Sequence, residues 1–325
     1  MDKRIDSLDC CKFLMAIFVV AIHTFPLENS ERNFLLRTAV PFFFTISGYF
    51  YFRKWAIQPT LGLGRYLKKI IHLYLFWTVA YLPLAVYDYY YDNKTMQDNL
   101  LSFLKDFIFT GQHFYSWPLW YLLSLIYMLP IAYLCWVKVK NKYIQIMIFT
   151  LTILVHFLLY HMSTNFSSYG YCGHLLEKTL FNGRLFSAYI YLSVAYFLSK
   201  KRCYSLGGGA AGLIFVLFLN YLLPSMHITT YNIIITMMRI VFVYSLFSIC
   251  LFFSNKKIKG ASFAKKASSV MYFTHMYFFF FYSLFFRYVG YKGVDAFIVT
   301  TLLTLGCSCI VVYFSQKSTF ARKYL

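Results

Sequence analysis

Residues 8–25 read Leu8-Asp9-Cys10-Cys11-Lys12-Phe13-Leu14-Met15-Ala16-Ile17-Phe18-Val19-Val20-Ala21-Ile22-His23-Thr24-Phe25. From Cys10 to Phe25 the run is long and apolar enough to approach the hydrocarbon thickness of a bilayer, for which about 17–25 residues are needed. Further segments of this kind follow along the chain: Leu35–Phe52, Ile70–Tyr87, Trp117–Val137, Tyr143–Tyr160, Arg184–Ser199, Gly207–Pro224, Ile233–Ser254, Ser268–Phe286 and Ala296–Ser315. The expectation is an all-α, polytopic membrane bundle of about ten transmembrane helices. Residues 1–325 are expected to form one integral-membrane domain with no soluble domain. Leu100–Phe109 is too short to span and contains Lys105 and Asp106, so it reads as an interfacial or re-entrant segment.

The composition agrees. Of 325 residues, 60% are hydrophobic and 13% charged, against about 25% charged in an ordinary soluble domain. The formal net charge of +20 would suit nucleic acid only if the basic residues shared one solvated face, whereas here they sit between apolar runs. No nucleic-acid partner is expected; the bilayer is. Of the 31 Lys and Arg residues, 21 fall on the side that also holds both termini, while the opposite side holds eight of the 11 acidic residues. The positive-inside rule then puts the N- and C-termini in the cytoplasm, in a multi-pass protein of the plasma membrane.

Eight cysteines are enough for a disulfide framework, but Cys10, Cys11, Cys135, Cys250, Cys307 and Cys309 fall in or at the ends of apolar spans. Only Cys172 lies in an expected outer loop, so neither a disulfide scaffold nor a metal site is expected. Met1 to Asp9 is polar and no small-residue cleavage site follows it, which reads as a retained helix. Gly207–Gly209 with Gly212 opens the seventh span, where close helix packing is the favoured role over phosphate binding.

A charge inside a span costs about 2.5–3.5 kcal/mol even on lenient scales, so the few that occur carry information. Lys12 and His23 are 11 residues apart, which on a helix returns them to one face about 16 Å apart along the axis. Asp9 lies at i−3 from Lys12. Taken singly, Lys12 reads equally as a snorkelling anchor and His23 as an interfacial histidine before Pro26. Together they mark two points on one path through a bundle. Arg37 stands at the outer start of the second span, and Ser47-Gly48 gives a small notch for helix contact. Trp117-Pro118-Leu119-Trp120-Tyr121 opens the fourth span as an interface belt. Arg239 is two turns into the eighth span, His275 is buried in an apolar run, and Asn182-Gly183-Arg184 sets another cation at an outer helix start. Arg37, Arg184 and Arg239 are placed to meet near the outer leaflet around an anionic or polyhydroxyl ligand, since Arg offers a rigid fork of donors.

These residues resemble the signatures of the acyltransferase-3 family of integral-membrane acyltransferases. The family's Asp, then Arg or Lys three residues on, then ten residues and His, is matched by Asp9, Lys12 and His23. Its Arg with a Val-Pro-Phe-Phe run and Ser-Gly-Tyr is matched by Arg37, Val40–Phe43 and Ser47–Tyr49, its Leu-Trp-Tyr by Leu119–Tyr121, and its late Tyr-x-x-His by Tyr272 and His275. The chain is also similar to the membrane half of the vancomycin-resistance serine racemases, chiefly in Ala39–Tyr49 and around Asn182-Gly183. It departs from common patterns in having Lys12 where Arg is frequent and Arg184 after Asn-Gly instead of before it.

The resemblance implies transfer of an acyl group, usually acetyl, from cytoplasmic acetyl-CoA as co-substrate to a hydroxyl of an extracytoplasmic glycan or lipid-linked saccharide. Under it His23, Lys12 and Asp9 are the expected catalytic residues. Lys12, Arg65, Lys68 and Lys69 are expected to receive the acyl-CoA phosphates. Arg37, Arg239, Arg184, Trp120, Tyr121, Ser47 and His275 are expected to contact the acceptor. The competing expectation is a transporter for a small polar solute such as an amino acid, though the repeated halves common in transporters are not visible. A non-catalytic scaffold is disfavoured, because it need not bury such costly cations.

Overall fold

The computed structural model describes residues 4–26, 34–57, 62–91, 95–162, 184–201, 204–222 and 228–317. Cys172 and Asn182-Gly183 lie outside them. Among the described residues the secondary structure is helical throughout: α1 (Asp6–Thr24), a 3-10 turn (Leu36–Thr38) leading into α2 (Ala39–Ile57), α3 (Leu63–Tyr91), α4 (Met96–Lys105), α5 (Leu119–Tyr133), α6 (Lys142–Met162), α7 (Arg184–Lys200), α8 (Leu206–Leu222), α9 (Ile228–Phe252), α10 (Ala261–Phe286) and α11 (Val294–Lys317). Among the described residues, each of the ten apolar segments read from the sequence has its central part on a helix.

Among the described residues, six helical stretches are long and apolar enough to cross a membrane: Asp6–Thr24, Leu63–Tyr91, Leu119–Lys138, Ile234–Phe252, Ala261–Phe286 and Val294–Ser315. Lys142–His156 and Leu206–Leu222 are shorter apolar helices, and α2 carries Arg53 and Lys54 near its C-terminal end. These helices are apolar on most of their circumference, the pattern of a helix that meets hydrocarbon as well as protein. Accordingly Val79 and Val86 on α3, Ile214 and Phe218 on α8, and Leu302 and Phe314 on α11 are exposed.

Two elements extend beyond the segments marked out in the sequence. The third span sits inside a helix of 29 residues, about 43 Å at 1.5 Å per residue, so its basic first turns project beyond a hydrocarbon core of about 30 Å. The run at 100–109 forms α4, capped by the Thr95 hydroxyl accepting from the Asp98 amide, and then a π turn at Asp106–Thr110.

The chain divides into two compact units, residues 1–46 with 201–325 and residues 47–200, the division falling within α2. In the first unit α1 packs chiefly on α10, and also on α11 and α9, while α8 packs on α9. Phe34, Val216, Ile235, Met238 and Phe242 form a buried apolar cluster there. A Cβ on Gly209 would come within 2.7 Å of Ile249 and one on Gly212 would run into Ser245, so these two glycines serve close approach to α9, while Gly207 and Gly208 meet only Ser205. In the second unit α5 packs against α3 and α7, and α6 against α7. A Cβ on Gly48 would lie 2.8 Å from the Ala195 Cβ and 2.9 Å from Leu192, which makes Ser47-Gly48 the notch into which α7 fits. The Trp136 indole N–H donates to the Ser193 hydroxyl across the same unit at 2.8 Å. Cys10, Cys11, Cys135, Cys250, Cys307 and Cys309 are free thiols.

Candidate functional site

In the first unit, the polar stripe of α1 faces α10. At one end the Lys12 ammonium donates to the Ser269 hydroxyl at 3.1 Å. At the other the His23 imidazole lies against His275, ring centroids 5.3 Å apart and planes inclined by 29°. The two helices run parallel, so the 11-residue interval on α1 is spanned by two contacts on a single neighbour.

His275 is fully buried. Its Nδ1 lies 3.1 Å from the Met271 carbonyl, and a carbonyl only accepts, so Nδ1 carries the proton and Nε2 presents a lone pair. Among the described residues that Nε2 has no hydrogen-bond partner, an arrangement that costs about 1–3 kcal/mol unless something is supplied to it. His23 beside it is half-buried. The pair therefore combines one imidazole within reach of a ligand and one locked in a single tautomer behind it.

Asp9 is buried at 4% exposure and accepts from the Arg4 guanidinium at 2.9 Å, which also reaches Asp6 at 3.1 Å. Asp6 in turn accepts from the Ile258 amide at 3.0 Å, and the Ser7 hydroxyl donates to the Cys250 carbonyl at 2.5 Å. The acidic start of α1 thus ties the helix to the segment between α9 and α10. Arg4 is the cation that holds Asp9.

Arg37 is exposed on the 3-10 turn. Arg239 on α9 places its guanidinium 6.0 Å above the Phe34 ring, within the range of a cation–π contact.

The remaining expected residues belong to the second unit. The Ser47 hydroxyl and the Tyr121 phenol are 2.6 Å apart, and Tyr66 reaches the Ser47 carbonyl. Arg184, at the start of α7, donates from Nη1 to the Gln112 side-chain oxygen at 2.8 Å and lies 5.2 Å over the Trp120 ring. Arg65, Lys68 and Lys69 are all exposed; at i, i+3 and i+4 they form one basic face on the first turns of α3.

Sequence reasoning passed over His113. It lies in the connection from α4 to α5, 8% exposed, its amide accepted by the Ser116 hydroxyl at 2.8 Å and its ring edge-on to Phe103 at 4.9 Å. Its Nε2 has no partner among the described residues, and burial pushes the imidazole down to about 4. A lone histidine in a non-periodic loop gives no pattern to read; a buried polar atom left unsatisfied becomes visible only in three dimensions.

Fold and composition together define a multi-pass membrane protein, helical throughout its described residues. The chain belongs to the acyltransferase-3 family: the family profile, described as an acyltransferase domain, matches residues 5–313. Among curated proteins the chain is similar to an amino-acid racemase of Enterococcus faecalis, 34% identical over 129 residues, covering 36% of this chain and 18% of that protein. It is also similar to a serine/alanine racemase of Enterococcus gallinarum, 37% identical over 92 residues, covering 25% of this chain and 13% of that protein. The matched stretches thus span less than a fifth of those relatives. No solved structure matches the chain.

Proposed function

We propose that the protein transfers an acyl group, acetyl in the simplest case, from cytoplasmic acyl-CoA to a hydroxyl of an extracytoplasmic glycan or lipid-linked saccharide, across the plasma membrane. Membership of the acyltransferase-3 family supports the reaction class. The observation that carries the chemistry is the His23–His275 pair.

In this reading His23 is the general base. A neutral imidazole takes the proton of the acceptor hydroxyl as its oxygen attacks the thioester carbonyl carbon. The new C–O bond forms, the C–S bond breaks, and the departing thiolate recovers the proton from His23, so no charge is left behind. General-base assistance of this kind is typically worth 10²–10⁴-fold. His275, neutral and fixed by Met271, supports the transient imidazolium through its ring face and its Nε2 lone pair. Lys12, on the same stripe, meets the anionic donor, and the basic face of Arg65, Lys68 and Lys69 draws it in. Asp9 keeps α1 seated through Arg4. Arg37 and Arg239 attend the acceptor or the oxyanion that develops on the carbonyl, and Trp120, Tyr121, Ser47 and Arg184 contact the acceptor.

A second reading is a carrier for a small polar solute such as an amino acid, the substrate class in the name of the racemase relatives, and it requires uptake of solute without acyl-CoA. Mass spectrometry of surface glycans from cells with and without the protein separates the two. Transfer adds the mass of one acyl group to a glycan; a carrier leaves glycan masses unchanged.

A further inference from the structure

The contact between His23 and His275 depends on the axial register of α1 against α10, and contacts at both ends of α1 fix that register. Lys12 and Ser269 hold one end. At the other, α1 stops at Thr24, one residue beyond His23, and the last carbonyls of a helix have no partner within it. The Thr24 carbonyl accepts from the Gly293 amide at 3.0 Å, and the Phe25 ring meets Phe297 edge-on at 5.7 Å. Both contacts come from the corner between α10 and α11 or the first turn after it, so the end of α1 sits where that corner puts it.

The corner is organised by one carboxylate. Asp295, in the first turn of α11, accepts from the Tyr282 hydroxyl at 2.7 Å, from Arg287 Nε at 3.1 Å and Nη2 at 2.8 Å, and from the Tyr291 hydroxyl at 3.1 Å. The Arg287 guanidinium also lies 5.2 Å over the Tyr291 ring. A negative charge in a first turn suits the positive end of the helix dipole, but every one of these donors is a side chain of α10 or of the corner, so the carboxylate clasps the two helices together. Tyr282 is seven residues beyond His275, two turns along α10 on the same face. Asp295 therefore grips α10 in line with His275 and, through the corner that carries Gly293, reaches the end of α1 that carries His23. Gly293 is buried, and a Cβ on it would run into the Asp295 carboxylate and the Tyr291 phenol, so the residue that holds Thr24 is packed directly against the clasp.

We infer that Asp295 is a positioning residue for the His23–His275 pair, held by Tyr282, Arg287 and Tyr291 so that the corner between α10 and α11 keeps the end of α1 in register with α10. This rests on the reading above only in taking the pair to be the reacting centre; the register itself is measured without any transfer.

The test uses the full chain in lipid nanodiscs. Diethyl pyrocarbonate modifies accessible neutral imidazoles, and mass spectrometry of the peptides gives the rate at each histidine. His275 is fully buried and is expected to react slowly. Asp295→Asn, Arg287→Gln and Gly293→Ala are each expected to raise its rate about tenfold, equivalent to about 1.4 kcal/mol of easier local opening. His113, buried in the second unit, should keep its rate, which separates opening of the clasp from unfolding of the whole chain. Arg287→Lys, which keeps a charge and a donor, should restore most of the protection lost in Arg287→Gln. Lys292→Ala, at an exposed residue of the same corner, should leave it unchanged. In transfer assays the three disruptive variants are expected to lower kcat about tenfold to a hundredfold with KM for acetyl-CoA unchanged. If Asp295→Asn does not fold, Arg287→Gln and Gly293→Ala decide. Protection of His275 equal to wild type in these variants, or raised reactivity with kcat intact, overturns the inference. If the variants expose His275 while the wild type transfers no acyl group, the transferase reading falls and the clasp stands.

Discussion

His23 on α1 and His275 on α10 lie ring against ring, centroids 5.3 Å apart, with the hydrogen of His275 committed to the Met271 carbonyl. That commitment makes the two imidazoles unequal. His275 cannot present a donor toward the ligand side without losing its bond to Met271, so it serves as a fixed lone pair and ring face behind His23. Replacing His275 by Phe keeps the ring volume and removes the lone pair. The expected result is a fall in kcat of about tenfold to a hundredfold, short of the 10²–10⁴ expected for loss of a direct base, with KM for acetyl-CoA unchanged and normal insertion. Initial transfer rates in membranes matched for protein content measure this; an unchanged kcat reduces His275 to a packing residue.

Lys12 donates to Ser269, which holds the ammonium at a helix contact instead of leaving it to wander to the interface. Lys12→Arg should therefore retain most activity, since the charge and a donor survive. Lys12→Ala should raise KM for acetyl-CoA about tenfold, the scale of one lost charge-assisted hydrogen bond. Substrate-saturation curves separate the two roles: equal KM in wild type and Lys12→Ala identifies Lys12 as an anchor.

Gly48 admits no side chain, because the place of a Cβ is already filled by Ala195 and Leu192. Gly48→Val should cost about 1–3 kcal/mol as overpacking between α2 and α7, seen as earlier thermal unfolding in detergent. Gly62→Ala, at a position with nothing within 4 Å, is the matched control and should melt as wild type does.

His113 lies outside the membrane-crossing helices, and burial lowers it from 6.5 to about 4. The imidazole of the unfolded chain protonates near 6.5. Between those values the unfolded form binds more protons, so stability falls as pH falls, while above 6.5 the full contribution of neutral His113 is present. Thermal unfolding of wild type and His113→Phe followed from pH 7.5 to 4.5 should show the wild type losing ground to the variant below about 6.5. Parallel curves over that range contradict the assignment.

Much of this was open to sequence reading because the bilayer imposes strong rules. Each apolar run had to become a helix, since backbone groups in hydrocarbon must be satisfied within their own segment. The 11-residue interval from Lys12 to His23 placed both on one stripe, and the structure finds that stripe facing α10 through Ser269 and His275. Helical periodicity named the face without naming the neighbour, because which helix packs where depends on contacts far apart in sequence.

Other features left no periodic trace. Arg4 looked like one basic residue among many, and its grip on Asp6 and Asp9 depends on a helix entry whose angle sequence does not give. The strained turn at Tyr115 and the buried, unsatisfied His113 lie in a connection where neither a 3.6-residue nor a 2-residue repeat applies. Ser47 was read as a small packing residue and acceptor contact; its 2.6 Å bond to Tyr121 joins two motifs 74 residues apart.

The central claim is that His23 carries the proton of the acyl-transfer step. Membranes containing the protein, or its His23→Ala variant at equal abundance, are supplied with acetyl-CoA labelled in the acetyl group, and label in the glycan and glycolipid fraction is counted over time. Transfer by the wild type and a loss of at least about a hundredfold in His23→Ala are expected; label incorporated by the variant at the wild-type rate would contradict a proton-carrying role for His23.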